Sequence, residues 1–136
     1  MISKTLPIEP IFACTLRDVY VKQILSGEKT YEGRIFSGPF ARYKLGTKVR
    51  WFAGSKSCVV TEVTDLQRFR SFEEMIEKIG YSKLLPQASS VHEAVTTYLS
   101  IPRYRERALQ YGVVAFGVKV IPDVPRKLKR ERSEQS

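Results

Sequence analysis

Only one histidine, His92, and two cysteines, Cys14 and Cys58, occur among the 136 residues. A zinc framework needs a cluster of such ligands, and two-histidine acid–base chemistry needs a second imidazole, so no metal or other cofactor is expected. Both cysteines have apolar or β-branched neighbours, which predicts buried free thiols rather than a disulfide. His92 directly follows a helix-cap position and reads as a surface residue. Long hydrophobic runs are also missing. No stretch approaches the roughly eighteen apolar residues of a membrane span, and Met1 to Pro7 lacks the apolar run of a secretory signal. The expectation is a soluble protein with no membrane partner, cytoplasmic or, in a nucleated host, nuclear. Acidic residues are in short supply as well: 14 Asp+Glu face 23 Lys+Arg, a formal net charge of +9. That balance favours a polyanionic partner, held through phosphate contacts and counterion release.

What is present suits one domain. The content of 43% hydrophobic and 11% aromatic residues supports a single core, and the length is short for two. Residues 1–10, with Pro7 and Pro10, read as a lead-in. Ile11 to Leu16 is an apolar run suited to a buried strand, and Arg17 to Ser26 places Val21, Ile24 and Leu25 at helical spacing before Gly27. A second strand is expected from Thr30 to Phe36. Val49 and Trp51 then alternate with basic residues, Gly54 to Ser57 reads as a hairpin connection, and Cys58 to Thr64 is rich in β-branched residues.

Ser71 with Glu74, and Ser90 with Glu93, have capping-box spacing ahead of two apolar helical stripes. Val113 to Ile121 is a nearly continuous apolar strand that belongs in the interior of a sheet. From Pro122 the chain is polar and charged, and the sequence predicts a disordered tail over 122–136. Its Arg126, Lys127, Lys129, Arg130 and Arg132 against Asp123, Glu131 and Glu134 contribute only +2 of the +9, so the body itself is basic. The order strand, helix, several strands, helices, strand predicts an α+β domain whose sheet of about five to six strands curls into a small barrel flanked by helices.

The chemistry concentrates in Gly27-Glu28-Lys29-Thr30-Tyr31-Glu32-Gly33-Arg34. Side chains two apart on a strand share a face, so Glu32 and Arg34 project together, and Lys29 at the helix end can swing over them. Two cations and a carboxylate would thus converge. The arginine offers a fork of donors, the lysine a mobile charge, and the carboxylate an acceptor for an exocyclic amine.

Gly27-x-Lys29-x-x-Glu32-x-Arg34 resembles the Gly-x-Lys-x-x-Glu-x-Arg signature of ASCH domains, members of the PUA-like superfamily. The Phe72-Glu73-Glu74-Met75 helix and the Tyr111-Gly112-Val113-Val114-Ala115-Phe116 strand are similar to ASCH sequences too, and the resemblance spans about residues 10–121. It implies a PUA-like β-barrel, an ASCH domain over 11–121, and a cleft between barrel and helices where Lys29, Glu32 and Arg34 gather. It also implies a role with RNA or DNA, or with modified nucleosides.

Two functions follow. In the first, the cleft binds RNA or single-stranded nucleic acid: Lys29, Arg34, Arg50, Lys56 and Arg68 meet phosphates, Glu32 completes the trio, and Tyr31, Tyr43 or Trp51 offers a face for a base. Trp51, alternating with Val49, also reads as a core residue. In the alternative, resemblance to a bacterial group of the superfamily implies a small amidohydrolase acting on N4-acylated cytidine or a related modified nucleoside, or a nuclease, with Lys29 and Glu32 catalytic. In that group the lysine works with a threonine and a distant glutamate. Here Glu32 stands at the threonine's step, and Glu73, Glu74, Glu77 and Glu93 all remain candidates for the glutamate. A glutamate beside Lys29 is expected to raise the lysine's pKa, which disfavours a lysine base.

Overall fold

The computed structural model describes residues 11–122. The lead-in and the basic tail beyond Pro122 lie outside the described residues. In chain order the elements are β1 (Ile11–Thr15), α1 (Asp18–Ser26), β2 (Tyr31–Ile35), a 3-10 turn (Gly38–Ala41), β3 (Lys48–Ala53), β4 (Ser57–Phe69), α2 (Phe72–Ile79), α3 (Tyr81–Leu84), α4 (Val91–Leu99), α5 (Tyr104–Tyr111) and β5 (Val113–Val120). The strands form one sheet in the order β1-β3-β4-β5-β2. Only β1 and β3 run parallel; the other pairs are antiparallel. The fold is the expected α+β curled half-barrel of PUA-like type, with β1 and β2 as its two free edges.

Strand β4 makes the curl possible. Its β-branched first half pairs with β3, its second half continues along β5, and a register shift between Val63 and Asp65 bends it. Such a bulge strengthens local twist. Gly117 lies opposite the bend, where a Cβ would stand 2.9 Å from Thr64 Oγ1 and 3.0 Å from Asp65 Cβ. Strand β5 lies between β4 and β2, inside the sheet as its apolar run predicts.

Alternation along the strands separates two cores. On one face, Val114, Phe116 and Val118 of β5 join Val49, Trp51, Val59 and Val63, covered by Val21 and Ile24 of α1. On the other, Ile35, Val113 and Ala115 pack against Phe72, Met75, Ile76 and Ile79 of α2 and Ala94 and Tyr98 of α4. Both serines cap their helices, with Ser71 Oγ accepting from Glu74 N–H and Ser90 Oγ from Glu93 N–H, each at 3.1 Å.

The structure adds to or changes the sequence reading at four points. β1 is a half-exposed edge rather than a buried strand, because its apolar run covers one rim of the half-barrel. Helix α5 had no sequence expectation, since only Ala108 of it is buried and no apolar stripe marks it. Tyr43, considered as a base-stacking face, is a core residue 4% exposed, and Trp51, 0% exposed, takes the core reading that its alternation with Val49 favoured over a stacking face. Cys14 and Cys58 are free thiols, half-buried rather than fully buried. Among the described residues no helix is long and apolar enough to cross a membrane.

Candidate functional site

The motif folds as its spacing dictates. Gly27 adopts φ 89° and terminates α1, and Lys29 N–H donates to Gln23 O, which turns the chain into β2. Glu32 pairs across the sheet with Phe116 and Arg34 with Val114, so both project onto the same face. Lys29 Nζ lies 2.9 Å from Glu32 Oε1, and Arg34 Nε 2.7 Å from Glu32 Oε2. Each carboxylate oxygen therefore takes one cation. Lys29 Nζ also donates to Tyr31 O at 2.8 Å and to Leu84 O. The three protons of an ammonium thus meet three acceptors.

Burial makes this trio unusual. Lys29 is 1% exposed and Glu32 6%. Burial pulls Lys29 below the ordinary lysine value, against the opposing pull of the Glu32 carboxylate. The glutamate does pull the value up, as the sequence led us to expect, but in a dry site the loss of hydration outweighs it and the net shift is downward. Burial alone would lift Glu32, but the charges of Lys29 and Arg34 hold it below the usual carboxylate range. Burial likewise acts against the Arg34 guanidinium, and the Glu32 charge overcomes it, so Arg34 stays firmly charged.

Arg34 also bridges the open side of the half-barrel. Its Nη2 donates to Thr15 O of β1 at 3.2 Å, joining the two edge strands through a side chain. The guanidinium lies 4.9 Å from the Phe40 ring centroid and 5.3 Å from that of Trp51, a cation–π cradle that holds it in place. Around this bridge opens a cleft of about 390 Å³ whose walls include Arg17, Tyr20, Gly33, Tyr98, Ile101 and Tyr104. A nucleoside-sized ring fits such a volume.

The other residues anticipated from sequence are scattered. Tyr31 points from the opposite face of β2, and its hydroxyl donates to Asp65 Oδ2 at 2.6 Å, a bond that pushes its pKa up to about 12. Arg50 is on the face of β3 opposite Trp51. Lys56 is exposed in the β3–β4 turn. Arg68 shares the face of Arg34 through Val114, but it is exposed and stacks 3.6 Å over Phe36. None of these four lines the cleft. Glu74 accepts from Arg70 N–H and Glu93 from Ser89 N–H, while Glu73 and Glu77 are exposed. Glu32 is therefore the only carboxylate among the described cleft residues.

Sequence reasoning missed Arg17, Tyr20, Tyr98 and Tyr104. Tyr98 was legible only as part of a helical apolar stripe, and nothing local distinguishes it from Val91 or Val95. Tyr20 is tied in by Gln87, whose Nε2 donates to its hydroxyl at 2.9 Å, a contact between residues 67 apart in sequence.

The chain is thus a half-barrel domain whose two edge strands are joined through a buried Lys–Glu–Arg trio, with a ring-sized cleft beside it. The chain belongs to the ASCH domain family, whose model matches residues 15–122. It is similar to two solved structures, hypothetical protein PH0355 and protein PF0455 from Pyrococcus furiosus. The first is 29% identical over 82% of this chain and 100% of that one, with a TM-score of 0.75. The second is 25% identical over 82% and 98%, with a TM-score of 0.69. The ASCH protein from Zymomonas mobilis shares the fold at 16% identity, over 80% of this chain and 66% of that one, with a TM-score of 0.53. No curated protein matches the chain.

Proposed function

We propose that the protein binds RNA or other single-stranded nucleic acid by taking one base into the cleft beside Arg34. The observation that carries this reading is the composition of the cleft. Two fixed cations face one carboxylate, so the trio keeps a net positive charge, and tyrosines flank a ring-sized space whose mouth carries Arg17. Aromatic walls accept a base's π-face and exposed arginines meet its phosphates. Arg103, Arg105 and Arg107, exposed on and just before α5, extend the basic rim beyond Ile101 and Tyr104.

The amidohydrolase alternative gains one point and loses two. Burial lowers the pKa of Lys29, as a lysine base requires. Yet its Nζ is saturated by Glu32, Tyr31 O and Leu84 O, and the four glutamates considered as partners lie outside the cleft. The arrangement suits recognition better than proton transfer.

The test is binding of fluorescent single-stranded RNA, single-stranded DNA and duplex DNA across a salt series. Arg34→Ala is expected to weaken single-strand binding about ten-fold or more with the fold intact by circular dichroism. Arg17→Ala should lower the salt slope by about one. Unchanged affinity in both variants removes the cleft from the interaction. Incubated with N4-acetylcytidine, the wild type should leave it intact; turnover that disappears in Lys29→Ala would reverse the choice between the two readings.

A further inference from the structure

Tyr98 is 5% exposed, lines the cleft, and its buried hydroxyl has no hydrogen-bond partner among the described residues. A buried polar group is normally satisfied, so an orphan on a cleft wall marks a place where a ligand completes the bonding. The ring cannot swing away to find a partner: it stacks on Phe72 at 4.6 Å and 11°, and Phe72 stacks in turn on Tyr104 at 5.6 Å. The hydroxyl is lodged where Gly33 has no side chain, since a Cβ there would lie 2.9 Å from it. Burial first, and then the charge of Glu32, raise the Tyr98 pKa well above 10, so the hydroxyl keeps its proton and can donate it.

Gly33 supplies a second unfilled edge. Among the described strands, β2 pairs only with β5. Val118 N–H donates to Thr30 O and Phe36 N–H to Gly112 O, which turns the peptide groups of the even-numbered β2 residues toward β5. The odd-numbered ones then face the open edge. Tyr31 O accepts Lys29 there and Ile35 O accepts Ser37 N–H. Between them the Gly33 N–H and C=O face the cleft, where no described strand pairs with β2.

We infer that Tyr98 and the Gly33 peptide read the cis-amide face of an oxo-base, in which a ring N–H lies beside a carbonyl. The Gly33 C=O accepts the ring N–H, and the Tyr98 O–H donates to the adjacent carbonyl. Uracil, thymine, hypoxanthine and guanine carry this face; neutral cytosine and adenine do not. Tyr98 is thus a specificity-determining residue, and this inference rests on the base-binding reading of the cleft.

Fluorescent oligouridine, oligocytidine, oligoadenosine and oligo-3-methyluridine would be titrated into the full chain and Tyr98→Phe. Wild type is expected to prefer oligouridine over the other three by about ten-fold, the discrimination of a two-bond base contact. Tyr98→Phe should bring oligouridine down to the level of oligocytidine, leave the others unchanged, and not lower Tm, because the removed hydroxyl had no partner. A preference that survives Tyr98→Phe, or an equal loss on all four oligomers, overturns the inference. If wild type binds all four equally while Arg34→Ala still weakens binding, the oxo-base inference fails and the cleft reading stands. Absence of binding to any oligomer overturns both.

Discussion

Glu32→Ala is expected to destabilise the fold by about 3–5 kcal/mol, the cost of leaving a buried charge without its partner. Two charges would be stranded at once. Lys29 is 1% exposed and keeps the Tyr31 and Leu84 carbonyls but no counter-charge among the described residues, and Arg34 loses its closest contact, at 2.7 Å. Against a typical domain stability of about 5–15 kcal/mol, such a loss brings the variant near unfolding, and urea denaturation would read it. Replacing all three, as Lys29→Met/Glu32→Leu/Arg34→Met, should recover most of the loss while abolishing ligand binding, because apolar groups of similar volume carry no desolvation penalty. A Glu32→Ala variant within about 1 kcal/mol of wild type would mean that water already reaches the trio.

The same carboxylate sets an acid limit. Folding lowers the Glu32 pKa from its ordinary value of 4.5, so as pH falls the unfolded chain takes up the proton first. The stabilisation is complete above that ordinary value and drains away as pH falls through the lower folded value. Urea midpoints measured downward from pH 6 should decline in that acid window in the wild type, and decline less in the triple replacement.

Trp51→Ala carries the second large effect, about 3–5 kcal/mol for an aromatic removed from a packed core. The side chain is fully buried and its indole N–H donates to Thr61 Oγ1 at 2.9 Å. Thr61, itself buried, donates onward to Val49 O at 3.3 Å. Truncation opens a void under the Arg34 guanidinium and leaves Thr61 with one bond fewer. Stability and ligand binding should therefore fall together. Trp51→Phe keeps a ring beneath Arg34, so binding should survive with a smaller loss of stability. Full binding by a folded Trp51→Ala protein would show that Arg34 needs no aromatic floor.

Much of the fold is legible because its signals are local. β-branched runs, capping boxes and a glycine stop mark β4, α2, α4 and the end of α1 through interactions that span a few residues. Helix α5 escapes because it buries little beyond Ala108 and so carries no apolar period. α3 escapes for a related reason: four residues cannot show a period. At the site, Glu32 and Arg34 were readable as neighbours from strand alternation, and Lys29 from its place at the end of α1. Tyr31 was not separable from them by residue type, although the same alternation sends it to the other face.

The sequence by itself determined the local elements, the strand alternation that gathers Glu32 and Arg34, and the basic character of the body, because each depends on neighbours a few positions apart or on composition. The tertiary structure decided how dry the trio is, and with that the direction of the Lys29 pKa. It also decided which aromatics wall the cleft. Burial and cleft walls are made by residues far apart in the chain, such as Lys29 with Leu84 and Arg34 with Thr15. Only the curl of the sheet and the packing of α3 beside β2 bring them within bonding distance.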